Sequence, residues 1–155
     1  IQQQETCFTC HPRTRSDTLT ASGLPLRIGK MTFSDCHNVH DGNSDFLLKA
    51  DDINDNFYSC HAEKRGPFLW EHAPVTEECT LCHQAHGSNH PAMLTKRPPL
   101  LCQQCHSASG HPSVSYSSDD IADNTNNRFL LAKSCTNCHS QVHGSNHPSG
   151  ASRIR

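Results

Sequence analysis

Ten cysteines and thirteen histidines in a chain of 155 residues are an unusually dense set of side chains for metal binding or covalent cofactor attachment. Eight of the cysteines form four pairs, and two residues separate the members of each pair. The pairs are Cys7/Cys10, Cys79/Cys82, Cys102/Cys105 and Cys135/Cys138. The remaining two cysteines, Cys36 and Cys60, stand singly. Such regular spacing indicates one chemical demand repeated along the chain.

A histidine follows the second cysteine of every pair and also follows both single cysteines. These histidines are His11, His37, His61, His83, His106 and His139. The pattern C-x-x-C-H is the signature of covalent haem attachment. On a helical turn, residues three and four apart share a face, so both thiols can reach one porphyrin while the histidine ligates its iron. A four-cysteine zinc site from the two middle pairs, or five disulfides, would leave the histidines unexplained.

A repeat in the chain bears on the two single cysteines. Segment 33–61 aligns with segment 79–106 at an offset of 45 or 46 residues, and phenylalanine stands where the first cysteine of each pair would be. The two sites read Phe33-x-x-Cys36-His37 and Phe57-x-x-Cys60-His61. We therefore predict six haems c, with one thioether each at Cys36 and Cys60. The alternative is a disulfide between these cysteines, or two buried thiols, with four haems.

A third, shorter copy begins at Cys135, and we predict a single multihaem cytochrome domain, 1–155, with repeats at about 33–78, 79–134 and 135–150. Six haems in this length leave only about 26 residues of chain for each, which forces the porphyrins close together. Hydrophobic residues make up 34% of the chain, while nine prolines and eight glycines interrupt long periodic segments. The predicted fold is mostly irregular with short α-helices, and closely packed haems form its core.

Seven histidines remain as candidates for the second axial ligands that six haems would need. They are His40, His86 and His143, which follow a Cys-His step by three or four residues; His72 and His111, which lie between sites; and His90 and His147. The first three are too near their own porphyrin edge and are expected to reach a neighbouring haem. With the two between sites they make five, and His90 or His147 is the expected sixth. Irons with two imidazoles have no vacant position, which favours electron transfer over catalysis.

Charge and hydropathy exclude two classes of partner. The formal net charge is −2 and no face rich in lysine or arginine is apparent, which argues against nucleic-acid binding. No apolar run approaches the roughly 18 residues that a membrane span requires, so the chain is not expected to cross a bilayer by itself. Covalent haem attachment of this kind takes place outside the cytoplasm. We therefore expect an exported protein of the periplasm, the outer membrane or the cell exterior.

Several segments besides the haem motifs resemble the MtrA/DmsE-type decahaem cytochromes. They are residues 29–38, 58–75, 86–90, 101–107 and 143–150, within a similarity that covers about 24–150. The resemblance implies a bis-histidine haem wire with little secondary structure, a periplasmic conduit in an outer-membrane porin that passes electrons to redox partner proteins, minerals or other acceptors. Family members have about ten attachment motifs and this chain has at most six, so it is a short homologue, half of a conduit or a fragment.

Two other functions stay open at this point. A multihaem reductase would keep one iron open to its substrate, although the chain contains no C-x-x-C-K variant of the motif. A structural alternative is an extracellular filament of stacked copies, in which a spare histidine such as His90 or His147 ligates an iron of the next copy.

Overall fold

The computed structural model describes residues 3–41, 44, 46–106, 135–148 and 150. Its α-helices are α1 (Gln3–Phe8), α2 (Pro12–Thr18), α3 (Ile53–Tyr58) and α4 (Ala73–Glu77), and its strands are β1 (Trp70–Glu71) and β2 (Gly144–Ser145). Short 3₁₀ helices span Phe33–Asp35, Ala62–Lys64, Cys79–Leu81, Pro91–Met93, Cys102–Gln104 and Cys135–Asn137. The expectation of short helices and little regular structure is confirmed within these residues. His111 and the rest of segment 107–134 lie outside them.

Local capping explains where several of these elements begin. Pro12 opens α2, a position where its missing N–H costs nothing. The Asp52 carboxylate caps α3 by accepting a hydrogen bond of 2.8 Å from the backbone N–H of Asp55. Thr32 and Asp35 form a capping box around the 3₁₀ helix at 33–35. The elements so started lead into, follow or lie inside the Cys-His motifs.

The side-chain core of the described residues is small. Its buried apolar members are Leu26 and Leu48. The buried polar residues are Gln4, Thr18, Asn54, Asn56, Ser88 and Ser145. Several large apolar side chains are exposed, among them Phe46 at 69% and Leu69 at 77%. So small an apolar core cannot hold a chain of this length together by side-chain packing alone.

Polar contacts join segments that are distant in sequence. The two strands pair antiparallel, with Trp70 opposite Ser145, and bring the end of the described chain against its middle. The buried Gln4 amide of α1 donates a hydrogen bond of 2.8 Å to the Leu26 carbonyl. Within the described residues, no helix combines the length and the apolar character that crossing a bilayer requires.

Candidate haem-binding sites

Six segments fold into the same tight turn, and we call them attachment turns 1 to 6. They are residues 7–11, 33–37, 57–61, 79–83, 102–106 and 135–139. In each turn the first carbonyl accepts hydrogen bonds from the fourth residue's N–H at 3.1–3.2 Å and from the fifth residue's N–H at 2.8–3.0 Å. These bonds form one helical turn, which gathers the first, fourth and fifth side chains on one side. The six Cys-His motifs therefore share one backbone geometry.

Turns 2 and 3 adopt this geometry with phenylalanine in the first position. The Phe33 ring meets the Phe8 ring of turn 1 edge to face, with ring centres 5.5 Å apart, and meets the His86 ring at 6.2 Å in the same manner. The aromatic side chain thus lies between turn 1 and the His86 ring. The first cysteine is not needed to form the turn.

The thiols of different turns lie near one another. All ten cysteines are within the described residues and all are free. Burial raises the pKa of Cys36; a hydrogen bond with Asn56 opposes the change and the nearby Cys60 thiol adds to it. Burial also raises the pKa of Cys102 to about 11, helped by the adjacent Cys135. The described residues contain no group of three or more side chains suited to hold a metal ion.

Exposure of the thiols differs between the two cysteine positions of a turn. The first cysteines, Cys7, Cys79, Cys102 and Cys135, are all half-buried. The second cysteines of turns 1, 3, 5 and 6 are exposed instead, and these are Cys10, Cys60, Cys105 and Cys138. The thiols of these four cysteines lie at the surface of the polypeptide.

The returning chain explains why the second cysteines of turns 2 and 4 are half-buried. The Cys36 carbonyl accepts a hydrogen bond of 3.0 Å from the Lys49 N–H, and the Cys82 carbonyl accepts one of 2.8 Å from the Thr95 N–H. These bonds bring the loop after each turn beside the second cysteine. An exposed thiol is open to a vinyl group of a porphyrin. Haem attachment at all ten cysteines stays a prediction.

Three pairs of histidine rings have nearly the same geometry. They are His37 with His86 (6.1 Å between ring centres, 23° between planes), His72 with His106 (6.0 Å, 21°) and His83 with His143 (6.1 Å, 14°). Each pair joins the histidine of one attachment turn to a histidine from another segment. A ligating nitrogen lies about 2 Å from its metal and about 1 Å from its ring centre, so two imidazoles on opposite sides of one metal have centres roughly 6 Å apart. The pairs fit that arrangement.

Hydrogen bonds orient three of these rings. The acceptors of the Nδ1–H groups are the carbonyls of Phe46 for His37 (2.8 Å), Ala92 for His83 (2.7 Å) and Val142 for His72 (2.8 Å). A carbonyl oxygen can only accept, so Nδ1 carries the hydrogen and Nε2 is left as the metal-binding atom. Ligating histidines are commonly held in this way by a backbone carbonyl.

The surroundings of the two other half-buried members of these pairs, His86 and His143, lower their pKa values. Burial is the main cause that lowers the pKa of His86, and His37 lowers it further. For His143, burial lowers the pKa first, followed by Lys64 and His83. The neutral imidazole is the form that binds a metal, so the surroundings of both rings suit a ligand.

The remaining candidate ligands are placed in several ways. His11, His40 and His61 are exposed, and the His61 ring lies 3.7 Å from the Glu63 carboxylate. His139 in turn 6 is partly buried. His90 and His147 lie four residues after paired histidines, and their N–H groups donate to the hydroxyls of Ser88 and Ser145, both at 3.0 Å. The candidate His111 falls outside the described residues.

Two buried asparagines that hold the turns together were not singled out from the sequence. The Asn54 amide donates to the carbonyls of Val75 and Thr76, both at 3.3 Å, and its oxygen accepts from the Cys79 N–H at 2.8 Å. Asn56 is hydrogen-bonded to Cys36. The acidic and amide residues before turn 3 suggest a helix start. No sequence pattern indicates that Asn54 contacts Cys79, which lies 25 residues later in the chain.

Comparison with known proteins agrees with this picture. The doubled CXXCH motif family matches residues 34–66 and 72–111, a match that includes Cys36-His37 of turn 2 and the whole of turn 3. The chain is similar to "Multiheme cytochrome MtrA" of Shewanella baltica (strain OS185), with 53% identity over 150 residues. That alignment takes in 96% of this chain and 45% of the relative, so the chain spans about half of the relative's length.

Proposed function

Because the chain belongs to the MtrA-type multihaem c-type cytochromes, we propose that it carries electrons along a row of bis-histidine c-type haems and performs no chemical step of its own. The doubled CXXCH motif indicates covalently bound haem c. The observation that carries the proposal is the set of three histidine pairs with ring centres 6.0–6.1 Å apart. Each pair supplies two axial ligands, which leaves no position at the iron for a substrate.

The pairs support specific ligand assignments for three haems. The haem of turn 2 would have His37 and His86, that of turn 4 His83 and His143, and that of turn 5 His106 and His72. In each case the second histidine comes from outside the attachment turn. Every such ligand ties two segments of chain to one cofactor, which compensates for the small apolar core. The haem supplies the redox couple, and the protein fixes the orientation of its ligands.

We propose six haems in all, including one each at turns 2 and 3 held by a single thioether. The Sγ–H of Cys36 or Cys60 would add across one vinyl C=C bond, with sulfur and hydrogen each bonding one carbon, and the other vinyl would remain intact. A haem held by one thioether at turn 2 would be less firmly attached, and larger apolar side chains there favour its retention. Compared with turn 4, Phe33 replaces Cys79, Val39 replaces Ala85 and Phe46 replaces Ala92. Val39 and Phe46 are 66% and 69% exposed and can contact a porphyrin.

The location and partners follow from the same proposal. Covalent haem attachment implies a place outside the cytoplasm, in the periplasm or at the outer membrane. The haem propionates add negative charge to a polypeptide of net charge −2, so redox partners with basic docking patches are expected to bind transiently. The family resemblance implies an outer-membrane porin as the setting, with the chain as a conduit or a shuttle in extracellular respiration.

Mass and spin state together test the proposal. Intact mass of the isolated protein under denaturing conditions should equal the chain plus six haems, and low-temperature electron paramagnetic resonance should show only low-spin iron. A mass with four haems would overturn the single-thioether sites. Carbon monoxide binding to one haem of the reduced protein would favour the reductase, and binding to most haems would overturn the bis-histidine wire.

A further inference from the structure

Two loops of identical sequence deliver second imidazoles to attachment turns that lie elsewhere in the chain. The loops, His-Gly-Ser-Asn-His at 86–90 and at 143–147, are called docking loops here. The first histidine of the earlier loop faces His37, and that of the later loop faces His83. The same five-residue sequence thus places a histidine opposite the histidine of an attachment turn twice, in different surroundings.

Each docking loop pairs its serine with an extended segment. Ser22 and Ser88 exchange two backbone hydrogen bonds, of 2.9 and 2.8 Å. Ser145 occupies the same place in strand β2, opposite Trp70 of β1. Both loop serines are almost completely buried, at 5% and 4% exposure. The backbone of the loop is therefore held at a defined position beside the histidine that precedes it by two residues.

The asparagine of each docking loop adds an equivalent contact. The N–H of Ala21 donates to Asn89 Oδ1 at 3.4 Å, and the N–H of Leu69 donates to Asn146 Oδ1 at 2.8 Å. In both cases the donor is the residue just before the one that pairs with the loop serine. This bond fixes the register of the loop on its docking segment, because a shift by one residue would bring no N–H to the amide oxygen.

The glycine of each docking loop makes a close approach that a side chain would prevent. Gly87 and Gly144 have φ values of 137° and 134°, a region that other residues rarely adopt. A Cβ at position 87 would collide with the Asp17 carbonyl and lie 2.7 Å from Thr20 Oγ1. A Cβ at position 144 would collide with the Phe68 ring. The first collision is the stricter one, because the carbonyl belongs to the backbone.

We propose that the glycine and asparagine of the docking loops are positioning residues, which set the second axial imidazole of haems attached at turns 2 and 4. The inference rests on the bis-histidine haems of the proposed function. A displacement of about 1 Å is enough to break a metal–imidazole bond of roughly 2 Å. In this arrangement the segment after turn 1 controls the ligation of turn 2, because Asp17 and Ser22 receive the earlier loop. Neighbouring haem sites are thereby coupled through the polypeptide.

The test is Gly87→Ala in the full chain, with Gly29→Ala as its matched control. Gly29 also has a positive φ, of 71°, but a Cβ there would meet nothing within 4 Å. Gly87→Ala should keep the wild-type haem mass while carbon monoxide binding to the reduced protein rises from none to about one per chain. A matching high-spin signal should appear in the oxidised protein. The control should bind no carbon monoxide.

Carbon monoxide binding no greater than in wild type, with every haem low-spin in Gly87→Ala, would overturn the inference while leaving the proposed function intact. Wild-type protein that lacks haem, or that itself binds carbon monoxide at most irons, would instead overturn the proposed function. If Gly87→Ala yields no holoprotein, Asn146→Ala decides, since it removes one hydrogen bond and introduces no collision. It should bind carbon monoxide at a fraction of one haem per chain, and its failure to bind any would contradict the inference.

Discussion

Attachment turns 2 and 4, each with the loop that follows it, are the same structure built with a different first residue. Turn 2 makes a β-bridge between His37 and Leu48, and turn 4 makes one between His83 and Leu94. The hydrogen bonds next to these bridges match as well. In each loop, the backbone hydrogen bond that joins the start of the loop to its end is 2.7 Å long. The bond from the turn histidine's Nδ1 to a carbonyl is also equivalent, at 2.8 and 2.7 Å. Backbone contacts and the histidine therefore set the shape of the site.

The difference between the two turns lies in what the first side chain contributes. A cysteine in that position can add a second covalent bond to the cofactor, whereas Phe33 adds ring contacts with Phe8 and His86. Iron ligation and covalent retention are thus separable features of one turn. The following predictions test that separation, beginning with the largest expected effect.

Replacing the single cysteine of turn 2 should remove a whole haem. In Cys36→Ala the site would keep its histidines but no thioether, so denaturing mass spectrometry should find one haem fewer than in wild type. Cys79→Ala is the matched variant in turn 4, where Cys82 remains, and its haem mass should be unchanged. Equal haem content in wild type and Cys36→Ala would show that turn 2 carries no covalent haem.

Replacing the second axial histidine with methionine should shift the reduction potential of one haem, and the shift should be similar at turn 2 and at turn 4. Methionine in place of histidine raises the haem potential, so His86→Met should raise one component of a redox titration by on the order of 0.1 V, within the roughly 0.8 V range that axial ligands cover. His143→Met is the counterpart for turn 4. A titration curve that superimposes on wild type in His86→Met would contradict the assignment of that ligand.

The contact between turns 3 and 4 should be visible in stability. Asn54→Ala removes a buried amide that serves Val75, Thr76 and Cys79, and it should lower the free energy of unfolding by about 1–3 kcal/mol. Denaturant unfolding of the holoprotein measures this. Asn38→Ala is the control, since its amide makes a longer, local bond of 3.4 Å to the Asp41 carbonyl. A loss no larger than in the control would mean that Asn54 does not join the two turns.

Restoring the missing cysteine should give the smallest effect. Phe33→Cys would allow a second thioether at turn 2, which saturates the remaining vinyl and moves the pyridine haemochrome band to shorter wavelength, with no change in haem number. Phe8→Cys serves as control, because it adds a thiol outside the first position of a turn. An unmoved band in Phe33→Cys would show that the first position of turn 2 does not face a vinyl group.

The Cys-His spacing alone was enough to indicate haem c, because attachment depends on residues three and four positions apart in one turn. Residues that are close together in the sequence therefore specify this chemistry. The prolines and glycines indicated the scarcity of regular structure. The sequence repeat also pointed to turns 2 and 3 as relatives of the complete motifs. The spacing did not tell which thiols are exposed, since cover over a second cysteine depends on the loop that returns to it. The ligand role of His111, which lies outside the described residues, stays a prediction.

Tertiary structure alone decided which histidines meet. Sequence distance could exclude His86 from the haem of its own turn, but it could not choose His37, 49 residues earlier, over other partners. That choice depends on the β-bridge between Ser22 and Ser88. It also depends on a glycine, whose lack of a side chain allows the close approach to the Asp17 carbonyl. Such contacts join segments whose meeting depends on the whole path of the chain, so no local pattern of residues specifies them.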